Sequence, residues 1–174
     1  MLALAGAITD LTLFEEWSSR QGGMRGPREF PDLGDHATRL LATSAQFRDS
    51  QARHGRSYRD PRLKAALALA PAPPVRGFTP DSLASITLPV RIMVGQSDAE
   101  APADGCAAWL ASHLPNCELT RLGREVGHYV FLCEATETGR RMMPAVSVGA
   151  TGVDRGAIHQ RVADVAIRLF RSQV

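Results

Sequence analysis

Residues 88–102 read LPVRIMVGQSDAEAP, and this stretch decides the fold. A short apolar run, 88–94, stops at Gly95 and reads as a buried strand. An acid, Asp98, leaves the strand end through the Gly turn, and Pro102 follows four residues later. Working outward, the pattern repeats. Upstream, KAALALA (64–70) stops at Pro71, and downstream, CELTRL (117–122) stops at Gly123. Alanine favours helix, so 64–70 is the weakest of the three as a strand. The Asp60-Pro61 start and the Pro71 stop leave too little length for a helix, however. Between the second and third runs, 103–114 places Cys106, Trp109, Leu110, His113 and Leu114 on one helical face. After the third, Asp154 is positioned to cap a helix with the stripe Ile158, Val162, Val165, Ala166, Leu169 and Phe170. Strands alternating with helices at this spacing predict an α/β fold with a parallel sheet. In such sheets chemistry gathers in the loops that leave the carboxyl ends of strands.

Composition excludes several classes of function. With 44% apolar and 22% charged residues in 174, the chain is neither disordered nor low in complexity. A net charge of +2 is too small for an electrostatic hold on nucleic acid or on a membrane surface. Residues 48–64 are Arg-rich with one Tyr, but they read as a solvated face and loop rather than a nucleic-acid footprint. No apolar run approaches 18 residues, so no membrane span is expected. Cys106, Cys117 and Cys133 form neither a disulfide framework nor a zinc motif. Cys106 and Cys117 read as small buried apolar side chains.

The first sixty residues have a different character. Residues 1–7, MLALAGA, are apolar from the first position, without a basic flank or a helix cap. They are too short for a signal peptide and read as the end of a buried helix that starts upstream. Localisation is left open. Residues 10–20 form a short amphipathic helix with Leu11, Leu13, Phe14 and Trp17 on its apolar side, and 21–31 is a Gly/Pro-rich loop. Asp35 is expected to cap a surface helix running to about Arg53, with Leu40, Leu41 and Phe47 on one side.

Two strand-end loops carry titratable residues. Asp98 follows one strand and His128, in Gly127-His128-Tyr129, follows the next, thirty positions later. That order matches the acid and base of a hydrolase triad: a buried carboxylate keeps one imidazole nitrogen protonated, leaving the other to take a proton from a nucleophile. The remaining histidines offer less. His36 and His54 are expected in solvent, His113 at the edge of its helix's apolar face, and His159 as a packing or capping residue one turn into the last helix. No metal site is expected.

On these residues the chain resembles the carboxyl-terminal part of an α/β-hydrolase, nearest the predicted dienelactone hydrolases related to platelet-activating-factor acetylhydrolases. The resemblance rests on Asp60-Pro61-Arg62-Leu63-Lys64-Ala65 before a strand, Pro71 after it, and the Gly95…Asp98…Pro102 acid loop. It rests further on Gly127-His128 with Phe131-Leu132-Cys133, and on Gly152-Val153-Asp154-Arg155…His159, the stretch that narrows the family. It implies the last three parallel strands of the hydrolase sheet with flanking helices (61–174), a helical lid-like segment (8–60), and residues 1–7 ending the helix after the nucleophile. It also implies Asp98 as triad acid, His128 as base, a small-molecule ester or lactone as substrate, and no cofactor.

The chain departs from the family at the nucleophile. It contains no G-x-S-x-G elbow. Gly95-Gln96-Ser97-Asp98-Ala99 comes nearest but lies in the acid loop, so Ser97 is not the nucleophile. The elbow would lie a few residues before Met1, and the chain alone is expected to be inactive. A second reading is a non-catalytic interaction module that pairs with another chain, or with a second copy, through the open edge of the sheet at 64–70.

Overall fold

The computed structural model describes residues 1–23 and 30–172. Most of the loop expected at 21–31 therefore lies outside the described residues. Four helices precede the sheet: α1 (Leu2–Ala5), α2 (Leu11–Arg20), α3 (Leu33–Thr43) and α4 (Ala45–Gln51). The strands are β1 (Ala66–Leu69), β2 (Val90–Val94) and β3 (Cys117–Arg121), with α5 (Pro80–Ala84) between the first two. Between β2 and β3, a wide turn at Asp104–Ala108 runs into α6 (Trp109–His113). After β3 come a 3-10 turn (His128–Phe131), α7 (Glu137–Met142), α8 (Pro144–Ser147) and α9 (Arg155–Arg171).

All three strands are parallel, in the order β1-β2-β3, with Ala66 opposite Val90 and Val90 opposite Cys117. Alternation along each strand divides the core in two. Ala66, Ala68, Val90, Ile92 and Val94 pack on one face beneath α1, α5 and α6, where Leu2, Leu83, Ala107 and Leu110 cover them. Leu67, Met93 and Leu122 face the other way, onto Ile158, Val162 and Val165 of α9. The molecule is thus an α/β structure whose small parallel sheet is covered on both faces. Complete burial of Val90, Ile92, Met93 and Val94 explains why β2 reads as an apolar run broken only by Arg91, which is half-buried and pairs with Glu118.

Residues 1–10 are fastened to the β/α part by backbone. The α1 helix ends at Gly6, whose φ of 125° only glycine adopts readily. Thereafter Thr79 N–H donates to the Ile8 carbonyl and Asp10 N–H to the Gly77 carbonyl. Asp10 caps α2 by accepting from Thr12 N–H at 2.9 Å. Arg76 lies between the Trp17 and Trp109 rings, 5.6 and 4.2 Å from their centroids, which joins α2 to α6.

Three expectations need correction. The helix expected from Asp35 to Arg53 is two helices, α3 and α4. Asp32 occupies the N-cap position of α3, and Asp35 lies in its first turn. The break falls at Ser44, whose extended backbone lets its hydroxyl accept from Phe47 N–H at 3.2 Å; a cap for the second helix replaces continuation of the first. Phe170, placed on the buried stripe of α9, is 47% exposed. The stripe follows Ile158, Val162, Val165 and Leu169, and one residue further turns about 100° away. Cys117 is half-buried rather than buried, because it opens an edge strand. Among the described residues no helix is long and apolar enough to cross a membrane.

Candidate active site

Strand β2 ends at Val94 and β3 at Arg121, opposite one another in the sheet, so the loops that follow leave from the same end. Gly95 permits their close approach. A Cβ there would overlap the Val126 carbonyl oxygen, so only a hydrogen fits between the loops. Ser97 then fastens the two backbones: its N–H donates to the Val126 carbonyl at 3.0 Å and its hydroxyl donates to the Arg124 carbonyl. Ser97 is therefore a clasp between loops.

The next residue is Asp98. Its Oδ1 accepts from the N–H groups of Glu100 (3.0 Å) and Ala101 (2.7 Å), fixing the carboxylate within its own tight loop. Its Oδ2 lies 2.8 Å from His128 Nδ1. The Asp98 side chain is 0% exposed and that of His128 25% exposed. A carboxylate only accepts, so Nδ1 is the protonated nitrogen and Nε2 of a neutral ring is the basic one. The Tyr129 ring stands edge-on to the imidazole, centroids 5.2 Å apart.

His128 lines two clefts. One, about 180 Å³, lies at the carboxyl end of β1 among Leu69, Ala70, Phe131 and Leu132. Ala70 holds an unusual left-handed φ of 43° there. The other, about 530 Å³, also borders His128 and has Glu100, Glu125, Arg140 and Arg155 among its walls.

The other candidates scatter. His36 is exposed beside Asp32, and His54 is exposed in the turns after α4. His113 lies against Trp109, the ring centroids 4.6 Å apart and the planes tilted by 41°. His159 bonds the Val130 carbonyl through Nε2 at 2.8 Å. Burial pushes the Cys106 thiol up to about 11, with the nearby Asp98 charge adding to it, and burial likewise pushes Cys117 to about 11. At neutral pH both stay protonated, and neither is a ready nucleophile. Among the described residues no cluster of three or more His, Cys, Asp or Glu side chains is placed to hold a metal ion.

Sequence reasoning missed two contributors. Gly95 reads in the sequence as a strand stop and turn, and the close backbone approach it permits is the part not read, although a glycine between a strand and a loop acid is itself a signal of it. Arg155 was read only as part of a helix start. Its Nη1 donates to the Cys133 carbonyl at 3.0 Å and to the Leu132 carbonyl at 3.5 Å, just beyond the His128 turn. The chain matches no model of a known protein family, and no curated protein matches it.

Proposed function

We propose that Asp98 and His128 are the acid and base of a Ser-His-Asp triad. In this reading residues 1–174 are the carboxyl-terminal part of an α/β-hydrolase of the dienelactone-hydrolase type, which cleaves a carboxylic ester or lactone without a cofactor. The observation that carries the reading is the 2.8 Å contact between the His128 imidazole and a carboxylate with no solvent exposure, at the carboxyl ends of adjacent parallel strands. Asp98 holds the proton on Nδ1, so Nε2 takes the serine proton as the hydroxyl oxygen attacks the substrate carbonyl. The imidazolium returns that proton to the departing alkoxide, leaving an acyl-serine. Water then attacks, giving its proton to Nε2, and serine departs with that proton as the acid is released. The serine lies on an elbow outside these 174 residues, following a strand beside β1, and residues 8–60 form the lid. The small cleft that His128 shares with Leu69, Ala70, Phe131 and Leu132 at the end of β1 supports that side as the place of reaction.

Translating the DNA immediately upstream of the Met1 codon and expressing the longer chain tests the reading. The expected result is an in-frame G-x-S-x-G and p-nitrophenyl ester cleavage. His128→Ala should lower turnover about a millionfold and Asp98→Asn about ten-thousandfold. The 174-residue chain should give no turnover and no labelling by a fluorophosphonate. A stop codon directly upstream overturns the proposal, as does ester cleavage by the short chain that is lost on Ser97→Ala.

A second reading, an interaction module joining copies of the chain through the sheet edge, is favoured by one observation. Ala66 and Ala70 N–H groups donate to β2, so by alternation those of Leu67 and Leu69 face away, and the Leu69 side chain is 37% exposed. Size-exclusion chromatography of the short chain should then show dimers or larger species, and Leu69→Pro should dissociate them. A stable monomer that melts cooperatively excludes this reading.

A further inference from the structure

His128 opens a 3-10 turn that lies outside the sheet, and a short turn of this kind cannot hold an imidazole to within a few tenths of an ångström by itself. The carbonyls of Val130, Leu132 and Cys133 lie in or just after that turn, outside any strand, so no ladder partner fixes them and the contacts that do are side-chain ones. They come from α9. His159 Nε2 reaches the Val130 carbonyl at 2.8 Å, and Arg155 Nη1 reaches those of Cys133 and Leu132 at 3.0 and 3.5 Å. Residues 155 and 159 are one turn apart and so share a helix face. The helix is itself fixed: Asp154 caps it by accepting from Ala157 N–H at 2.9 Å, and Ile158, Val162 and Val165 pack against Met93, Leu122, Val126 and Val130.

We infer that Arg155 and His159 are positioning residues for His128, transmitting the place of the sheet-packed helix to the imidazole through the backbone of the turn. The inference rests on the triad reading above, since positioning matters only if the Asp98–His128 bond is used. A carbonyl only accepts, so His159 must carry a proton on Nε2, as it does in both the neutral Nε2–H tautomer and the charged ring. The hold therefore survives protonation of His159. Misplacing a reacting group by about 1 Å can cost a hundredfold in rate, and a hydrogen bond of 2.8 Å lengthened that far is lost.

Proton NMR of the short chain reads the bond directly, without activity. A hydrogen-bonded Nδ1–H of His128 should give a low-field resonance that disappears in Asp98→Asn. His159→Leu should speed its exchange with water on the order of tenfold and change the His128 titration midpoint, while Ile92 and Val94 amides keep their protection. His159→Gln, which retains an N–H donor, should restore the resonance. Arg155→Met, at a half-buried side chain, should weaken it too and serves if His159→Leu does not fold. An unchanged resonance and midpoint in both His159→Leu and Arg155→Met would overturn the positioning role and leave the triad reading intact. Absence of an Asp98-dependent resonance in the unaltered chain would overturn both.

Discussion

The sheet and the two arms of the molecule obey different rules. Between Ala65 and Leu122 the chain buries most of its apolar side chains, and β2 is closed on both faces. Residues 30–60 and 131–152 contain no buried residue at all, although they hold well-formed helices. Leu33, Leu40 and Leu41 on the first arm and Met142, Met143 and Val148 on the second are exposed. Regular backbone is therefore no sign of a stable unit here. In the sheet, burial holds the backbone. In the arms, caps at Ser44 and Thr136 and local i,i+4 contacts hold it, each supplying about 1 kcal/mol or less.

Amide hydrogen exchange should expose this contrast most strongly. Ile92 and Val94 should exchange only through global opening, and Leu40 and Ala42 through local opening, at rates differing by about a thousandfold or more. Equal protection would show that the first arm unfolds together with the sheet.

Thiol labelling sharpens the same contrast. Cys133 begins the second arm and is exposed, whereas Cys106 is buried over the sheet and Cys117 half-buried at its edge. With thiols pushed to about 11, only about one in a thousand at either of these two sites is thiolate at pH 8, and that fraction rises about tenfold per pH unit. Iodoacetamide at pH 8 should thus modify Cys133 first, and labelling of the other two should climb steeply towards pH 10. Rapid modification of Cys106 at pH 8 would contradict its closed packing.

Urea unfolding compares the regions by substitution. Ile92→Ala removes a fully buried side chain and should cost about 3 kcal/mol. Asp154→Ala removes the cap of α9 and should cost about 1 kcal/mol. Leu40→Ala, at a side chain 42% exposed, should change stability by less than about 0.5 kcal/mol. A large loss for Leu40→Ala would mean that the arm packs against something in solution, which is the outcome expected if copies associate there.

What the sequence made legible follows the same division. β1 and β2 were readable because each is a short, largely apolar run with a Pro or Gly stop, a pattern that burial imposes; β3 has no buried residue and was marked by the Gly123 stop and its place after a helix. Asp98 and His128 were readable because each follows such a stop. The break at Ser44 was not, since a serine in an amphipathic run reads equally as a solvent-facing helix residue, and only its φ, ψ of −116° and 112° show that it caps. The hydrogen bonds of Arg155 and His159 were hidden for another reason. They join residues 22 to 29 positions apart, and no local pattern encodes such a distance.

The clasp between the loops after β2 and β3 makes the spacing of carboxylate and imidazole a local property of the chain. The bonds described between those loops run from residues 97 and 98 to residues 124–128, and the support from α9 ends at His159. Carboxylate, imidazole and their bracing, the packing of α9 through Val165 included, thus occupy one continuous stretch, roughly residues 88–165. The relative place of carboxylate and imidazole is settled within that stretch, and a change elsewhere reaches them only through the packing of the sheet.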